Sequence, residues 1–222
     1  MKAPFSAVCF DLDGVLIDTM PLHAQAWRQA CKPFGLRALR QVIYEREGEP
    51  GVVTARLLCR AQQQAFSPRQ LNQLLSDKER IFSRLARGVK VNARLLRLLK
   101  RLSRRGIRLA LVTGTSSREV RRVVSNRALQ LFEVIVTGDR VRHGKPHPEP
   151  YQRAFRQLGI QPCQAIVVEN APYGIRSALR ARAGFVVALA SSLPRRYLRE
   201  ANIVVSSVKR LCGLLEQVTV SD

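Results

Sequence analysis

Ala7-Val8-Cys9-Phe10-Asp11-Leu12-Asp13-Gly14-Val15-Leu16 opens with four apolar residues and then sets two carboxylates two positions apart. An apolar run of strand length that ends in acids and a glycine reads as a buried parallel strand with a ligand site at its carboxyl end, where open α/β sheets bind. Residues two apart on a strand point to the same side, so Asp11 and Asp13 can converge on one bound group. Two solvated acids at a strand end are the bland alternative. The apolar lead-in and the turn at Gly14 favour a site.

Outward from this strand the chain splits into two patterns. From Arg94 onward, helical and strand periodicities alternate in units of βα size. Helices are predicted at Ala93–Arg105, Ser117–Asn126, Pro148–Leu158, Pro172–Arg182 and Val208–Val218. Between them lie apolar strands at Ile107–Thr113, Val134–Val136, Ala165–Val168, Phe185–Ala188 and Ile203–Val205. The fold class is α/β, a doubly wound parallel sheet of Rossmann-like type. Residues from about Thr19 to Leu85 show only helical patterns, over Leu22–Cys31, Val52–Gln63 and Pro68–Leu85. An all-helical cap inserted after the first strand accounts for this. The expected division is a catalytic core of residues 1–17 and 88–222 and a cap of residues 18–87, hinged on Gly14 and Gly88.

Composition narrows the function classes. The chain has 222 residues, 46% hydrophobic and 24% charged, enough for one buried core and a smaller accessory domain. The longest apolar runs are strand-sized, and Asp11 and Asp13 interrupt the N-terminal one, so neither a membrane span nor a signal peptide is expected. A cytoplasmic protein follows. Cys9, Cys31, Cys59, Cys163 and Cys212 are odd in number, widely spaced and without a C-x-x-C pair, which suggests buried thiols and not a disulfide or zinc framework. The formal charge is +22. Its arginines, among them Arg94, Arg97, Arg101 and Arg104, recur at the spacing of a solvated helix face, with no interleaved aromatics for base stacking. No specific nucleic-acid partner is expected, only general attraction of polyanions.

Four separated segments resemble the haloacid dehalogenase superfamily, in its helical-capped branch of β-phosphoglucomutase and related sugar and polyol phosphatases. They are Asp11-Leu12-Asp13-Gly14-Val15-Leu16-Ile17-Asp18-Thr19, Leu111-Val112-Thr113-Gly114-Thr115, Gly144-Lys145-Pro146-His147-Pro148 and Val168-Glu169-Asn170-Ala171-Pro172-Tyr173-Gly174. The resemblance covers essentially the whole chain, with the segments in the family's order.

It implies a Mg²⁺-dependent phosphatase working through an aspartyl phosphate. Asp11 would be the nucleophile and Asp13 the general acid and base. Thr113 and the amides of Gly114 and Thr115 would cradle the phosphoryl group. Lys145 would supply fixed positive charge. The implied metal ligands are Asp11, Asp13, Glu169 and Asn170, an all-oxygen set that suits Mg²⁺. Relatives often carry Asp where Asn170 stands, so this site has one negative charge fewer. Asn92-Ala93 also replaces the Pro-Gly common before that helix.

In the resembled family the cap reads the organic part of the substrate. His23 and Trp27, four apart on one helical face, correspond to positions lining the closed site, as does Lys78; the glycine-rich turn Glu47-Gly48-Glu49-Pro50-Gly51 between cap helices is a candidate specificity loop. The expected partner is a small phosphorylated metabolite, bound by a monomer. A phosphosugar mutase is the second reading. The mutases resembled here have an arginine three residues after the cap-loop glycine, and if Gly48 is that glycine the position is Gly51. Arg46 and Arg56 lie nearby. A basic polyanion-binding protein on a catalytically weak version of the fold is the reading from another class.

Overall fold

In the computed structural model, which describes residues 5–219, β1 (Ala7–Phe10) is wholly buried. It sits in the middle of a six-stranded sheet of order β3-β2-β1-β4-β5-β6. The other strands are β2 (Arg108–Val112), β3 (Val134–Val136), β4 (Ala165–Glu169), β5 (Phe185–Leu189) and β6 (Ile203–Val205). Every neighbouring pair is parallel. The chain leaves β1 to one side for β2 and later returns to its other side for β4, so the carboxyl end of β1 is a topological switch point.

The helices are α1 (Met20–Cys31), α2 (Arg40–Glu45), α3 (Gly51–Ala61), α4 (Pro68–Leu85), α5 (Ala93–Arg104), α6 (Ser117–Val123), α7 (Asn126–Leu129), α8 (Glu149–Leu158), α9 (Pro172–Arg180) and α10 (Val208–Val218). Alternation along the strands builds two cores. Val8, Phe10, Leu109, Leu111, Ile166 and Val168 face α5 and α10, while Ala7, Cys9, Ala110, Val112 and Val167 face α8 and α9. On α5 the leucines at 95, 98, 99 and 102 are buried and Arg94, Arg97, Arg101 and Arg104 are exposed. The arginine run is therefore a solvated helix face. Asn92 caps this helix, accepting hydrogen bonds from the amides of Arg94 (3.0 Å) and Leu95 (3.4 Å). That is what the asparagine contributes where Pro-Gly is common.

The inserted cap consists of α1 to α4, with Trp27, Leu74 and Phe82 in its interior. Two local expectations fail. Residues 40–45 form a helix that the sequence did not announce, because six residues are too few to show a period; Ile43 and Tyr44 are its buried face. The helix expected over Ser117–Asn126 stops at Val123: Val124 is extended, and Ser125 starts α7 by accepting from the amide of Ala128. Among the described residues no helix is long and apolar enough to cross a membrane. All five cysteines are free thiols and only Cys163 is exposed.

Candidate active site

Adjacent strand ends deliver the charged residues to one point. Asp11 follows β1, Thr113 follows β2, Glu169 ends β4, and Lys145 arrives in the connection between β3 and α8. Lys145 is 1% exposed. Its Nζ lies 2.6 Å from Asp11 Oδ1, 2.6 Å from Glu169 Oε1 and 3.1 Å from the carbonyl of Val112. Tyr151 of α8 donates its hydroxyl to Glu169 Oε1 at 2.5 Å, and its ring centroid is 5.4 Å from the ammonium. Burial alone would lower the pKa of Lys145; Asp11 and Glu169 outweigh it and hold the lysine charged, above its ordinary pKa. Burial pushes the carboxyl of Asp11 up, and Lys145 is the main influence opposing that rise. Burial and the neighbouring Glu169 likewise keep the Tyr151 phenol protonated, as a donor must be.

Asp13 is turned toward other partners. Oδ1 accepts from Thr19 Oγ1 at 2.5 Å and lies 3.1 Å from His23 Nε2. Oδ2 accepts from Thr115 Oγ1 at 2.7 Å, with Thr113 Oγ1 at 3.5 Å. Burial raises the pKa of Asp13, but His23, Thr19 and Thr115 more than offset it, and the net direction is downward. The geometry thus holds a buried carboxylate in its base form. The amide of Thr115, expected in the phosphate cradle, donates to Thr113 Oγ1 at 3.0 Å, so this residue acts here through its hydroxyl.

The residues present fit a hard cation. Asp11 Oδ2 and both polar atoms of the Asn170 amide are buried without a partner. Orphaned oxygens of this kind on adjacent strand ends suit an oxygen-liganded ion. Gly14 makes their approach feasible: a Cβ there would stand 2.1 Å from Asn170 Nδ2, and its φ is +83°. Glu169 differs from the expectation. Oε1 serves Lys145 and Tyr151, and Oε2 accepts from the amide of Asn170 at 3.2 Å. Its Oε1 contacts make it an anchor of Lys145.

A model of the haloacid dehalogenase-like hydrolases matches residues 8–188. The chain belongs to the haloacid dehalogenase-like hydrolase family. It is 31% identical over 212 residues to hexitol phosphatase A of Escherichia coli, covering 96% of this chain and 92% of that protein. It is 34% identical over 179 residues to the phosphorylated carbohydrates phosphatase of Thermotoga maritima, covering 78% and 79%. The structure of β-phosphoglucomutase from Clostridium difficile superposes with a TM-score of 0.84 over 97% of each chain, at 21% identity, a likeness of fold.

In this haloacid dehalogenase-like hydrolase the cap loop presses on the core. A Cβ on Gly48 would meet Lys145 Cδ at 2.4 Å, and one on Gly114 would meet Gly48 Cα at 2.8 Å. Gly48 also has φ +83°, which favours glycine. Gly48→Ala is expected to lower kcat/KM by roughly tenfold or more, about 1.4 kcal/mol of barrier, with a small change in melting temperature. Steady-state kinetics beside thermal unfolding checks this, and unchanged kcat/KM counts against a closed cap as the working form.

A cleft of about 230 Å³ separates the layers, lined by the expected His23, Trp27, Gly48, Lys78, Gly114 and Thr115. His23 stacks on Phe82, with ring centroids 3.9 Å apart, and its Nε2 faces Asp13, so it orients that carboxylate. Lys78 Nζ lies 6.0 Å from the Trp27 ring centroid and 5.1 Å from that of Phe82. Arg46 makes a two-pronged contact with Glu49 (2.7 and 2.6 Å) and donates to Tyr173 at 2.9 Å. Sequence reasoning passed over Tyr151, Thr19 and the side chain of Glu47, which comes within 4.8 Å of Asp13 and His23. Thr19 lies inside a quoted motif and could have been found there; Tyr151 looks like any core residue of a helix.

Proposed function

We propose that this protein is a Mg²⁺-dependent phosphatase of sugar or polyol monophosphates, acting in the cytoplasm as a monomer, with a cap over residues 18–87. The observation that carries this reading is the buried Lys145–Asp11 pair whose second carboxylate oxygen, Oδ2, has no partner. The named activities of the two bacterial phosphatase relatives support the substrate class.

In this mechanism Asp11 Oδ2 attacks phosphorus and the bond to the substrate oxygen breaks. Asp13, a carboxylate before substrate binds, takes up the proton of the bound phosphate monoester monoanion and gives it to that oxygen. Asp13, again a carboxylate, takes a proton from water, which attacks phosphorus; the bond to Oδ2 breaks, and inorganic phosphate leaves with that proton, restoring both carboxylates. Lys145 stabilises charge on the phosphoryl oxygens, and the cap excludes bulk water. Mg²⁺, held by the Asp11 carboxylate, the Asp13 carbonyl and Asn170, would neutralise phosphoryl charge and orient the group.

Asn170→Asp restores a negative charge to the proposed metal set. Two unit charges ~4 Å apart interact by about 4 kcal/mol at an effective dielectric of ~20, before desolvation. A net gain of roughly 1–2 kcal/mol tightens Mg²⁺ binding about ten- to thirtyfold. Calorimetric titration of the metal alone is the check, and equal or weaker binding by the variant removes Asn170 from the ligand set.

Hydrolysis is favoured over mutase chemistry because a mutase needs a second phosphate grip in the cap. Gly51 offers no charge, Arg46 is engaged by Glu49 and Tyr173, and Arg56 is exposed and does not line the cleft. The test is phosphate release from sugar, polyol and aryl phosphates with and without Mg²⁺, beside β-glucose 1-phosphate with a bisphosphate primer. Metal-dependent phosphate release without isomerisation is expected. Efficient conversion to glucose 6-phosphate with little phosphate release overturns the reading.

A further inference from the structure

The walls of the cap–core cleft run against the charge of the chain. Lys and Arg outnumber Asp and Glu by 38 to 16 over the sequence. Yet the cleft is lined by Glu47, Glu49, Glu79, Glu119 and Asp139, with Arg46 and Lys78 as its cationic side chains. Glu49 takes up Arg46. Lys78 faces the remaining carboxylates, with His23 and Lys145 also acting on Glu47 and the exposed Arg118 on Glu79.

Glu119 is the most informative of these. It sits in the first turn of α6, one turn beyond the Thr113-Gly114-Thr115 segment, and is 6% exposed. Helix capping accounts for one of its oxygens: Oε2 lies 3.3 Å from Ser116 Oγ, which also accepts from the Glu119 amide. Oε1 is buried and has no partner. A buried acceptor without a donor is a standing penalty that a bound donor removes. Across the cap–core boundary stands Glu79 of α4, whose pKa is raised by burial and by the charge of Glu119. Asp139 remains ionised: burial pushes it up, but the hydroxyls of Thr137 and Ser117 and the amide of Ser117 hold it down at about 2.

We infer that the cleft selects a phosphate monoester whose organic end carries a protonated amine, an amino-sugar or amino-polyol phosphate, with Glu119 Oε1 accepting from the ammonium. This rests on the phosphatase reading and names its substrate class. A hydroxyl would satisfy Oε1 but leave the negative wall uncompensated; an ammonium does both through a charge-assisted hydrogen bond. A second phosphate or a carboxylate at that end would face Glu47, Glu79 and Glu119 and be repelled.

The test compares kcat/KM for matched amine and hydroxyl pairs: glucosamine 6-phosphate with glucose 6-phosphate, glucosamine 1-phosphate with glucose 1-phosphate, and 1-amino-1-deoxysorbitol 6-phosphate with sorbitol 6-phosphate. In at least one pair the amine should be preferred by about tenfold, the scale separating charge-assisted from neutral hydrogen bonds, and 6-phosphogluconate should be the poorest six-carbon substrate. Glu119→Gln keeps a residue able to cap α6 and should cut the amine preference to about threefold or less. The ratio within each enzyme cancels any loss common to both substrates. Equal or better use of the hydroxyl partner in every pair, or an unchanged preference in Glu119→Gln, overturns the inference while the phosphatase reading stands. No phosphate release from any ester, the aryl phosphate included, overturns both.

Discussion

Asp11→Asn is expected to remove phosphatase turnover by roughly four orders of magnitude or more, the scale of losing a covalent nucleophile. The replacement is nearly isosteric, and the amide oxygen can still accept from Lys145 Nζ, so the buried geometry has little reason to change. Lys145 keeps Glu169 at 2.6 Å as its counter-charge. What disappears is the nucleophilic electron density at Oδ2, the oxygen that lies buried and unpartnered. Circular dichroism and melting should match the parent while phosphate release falls to background. Activity above about 1% of the parent in a pure, folded sample would be far more than a missing nucleophile allows and would remove Asp11 from that role.

Lys145→Ala is expected to destabilise the fold by about 3–5 kcal/mol, the cost of breaking a buried ion pair by deleting one partner. Asp11 and Glu169 would be left buried beside each other, with Tyr151 and the Asn170 amide as the remaining donors to Glu169. The pH dependence has a definite sign. In the variant the Asp11 carboxyl, pushed up by burial and no longer opposed by Lys145, has a folded pKa raised above its unfolded one, so the folded state binds protons more readily. The deficit relative to the parent should be largest near neutral pH and shrink as the pH falls toward about 4, where unfolded carboxyls titrate. Urea unfolding at pH 7 and pH 5 measures it. A loss below about 1 kcal/mol at neutral pH, within the range of an ordinary surface change, would mean that Lys145 does not hold the pair.

Much of this was legible in the residues, for physical reasons that also mark where legibility ended. Ala7–Phe10 announces a central strand because a strand buried on both faces needs apolar residues at every position. Asp11, Thr113 and Lys145 are recognisable because each ends a strand or sits in a connection at the same edge of the sheet. The side-chain partners of Glu169 were not legible: a position in the expected metal set does not say which protein atoms its oxygens will meet, and Tyr151 and Lys145 reach it from distant segments. Six-residue α2 and the break at Val124 were invisible because neither shows a full helical period. The acidic cleft was hidden for a similar reason. Glu119 alone looks like a helix-start charge, and nothing local brings Glu79 of the cap opposite it.

The central claim is a covalent phosphoryl–Asp11 intermediate. Acid-quenched mixtures of enzyme, Mg²⁺ and a good-leaving-group phosphate, digested and analysed by mass spectrometry, test it most directly. The intermediate should persist longest in Asp13→Asn, which lacks the base that activates water. The account predicts a phosphoryl mass increment on the peptide containing Asp11, present in Asp13→Asn and absent in Asp11→Asn. Substrate turnover by the parent with no increment on that peptide in either the parent or Asp13→Asn, or an increment on a peptide lacking Asp11, would contradict it.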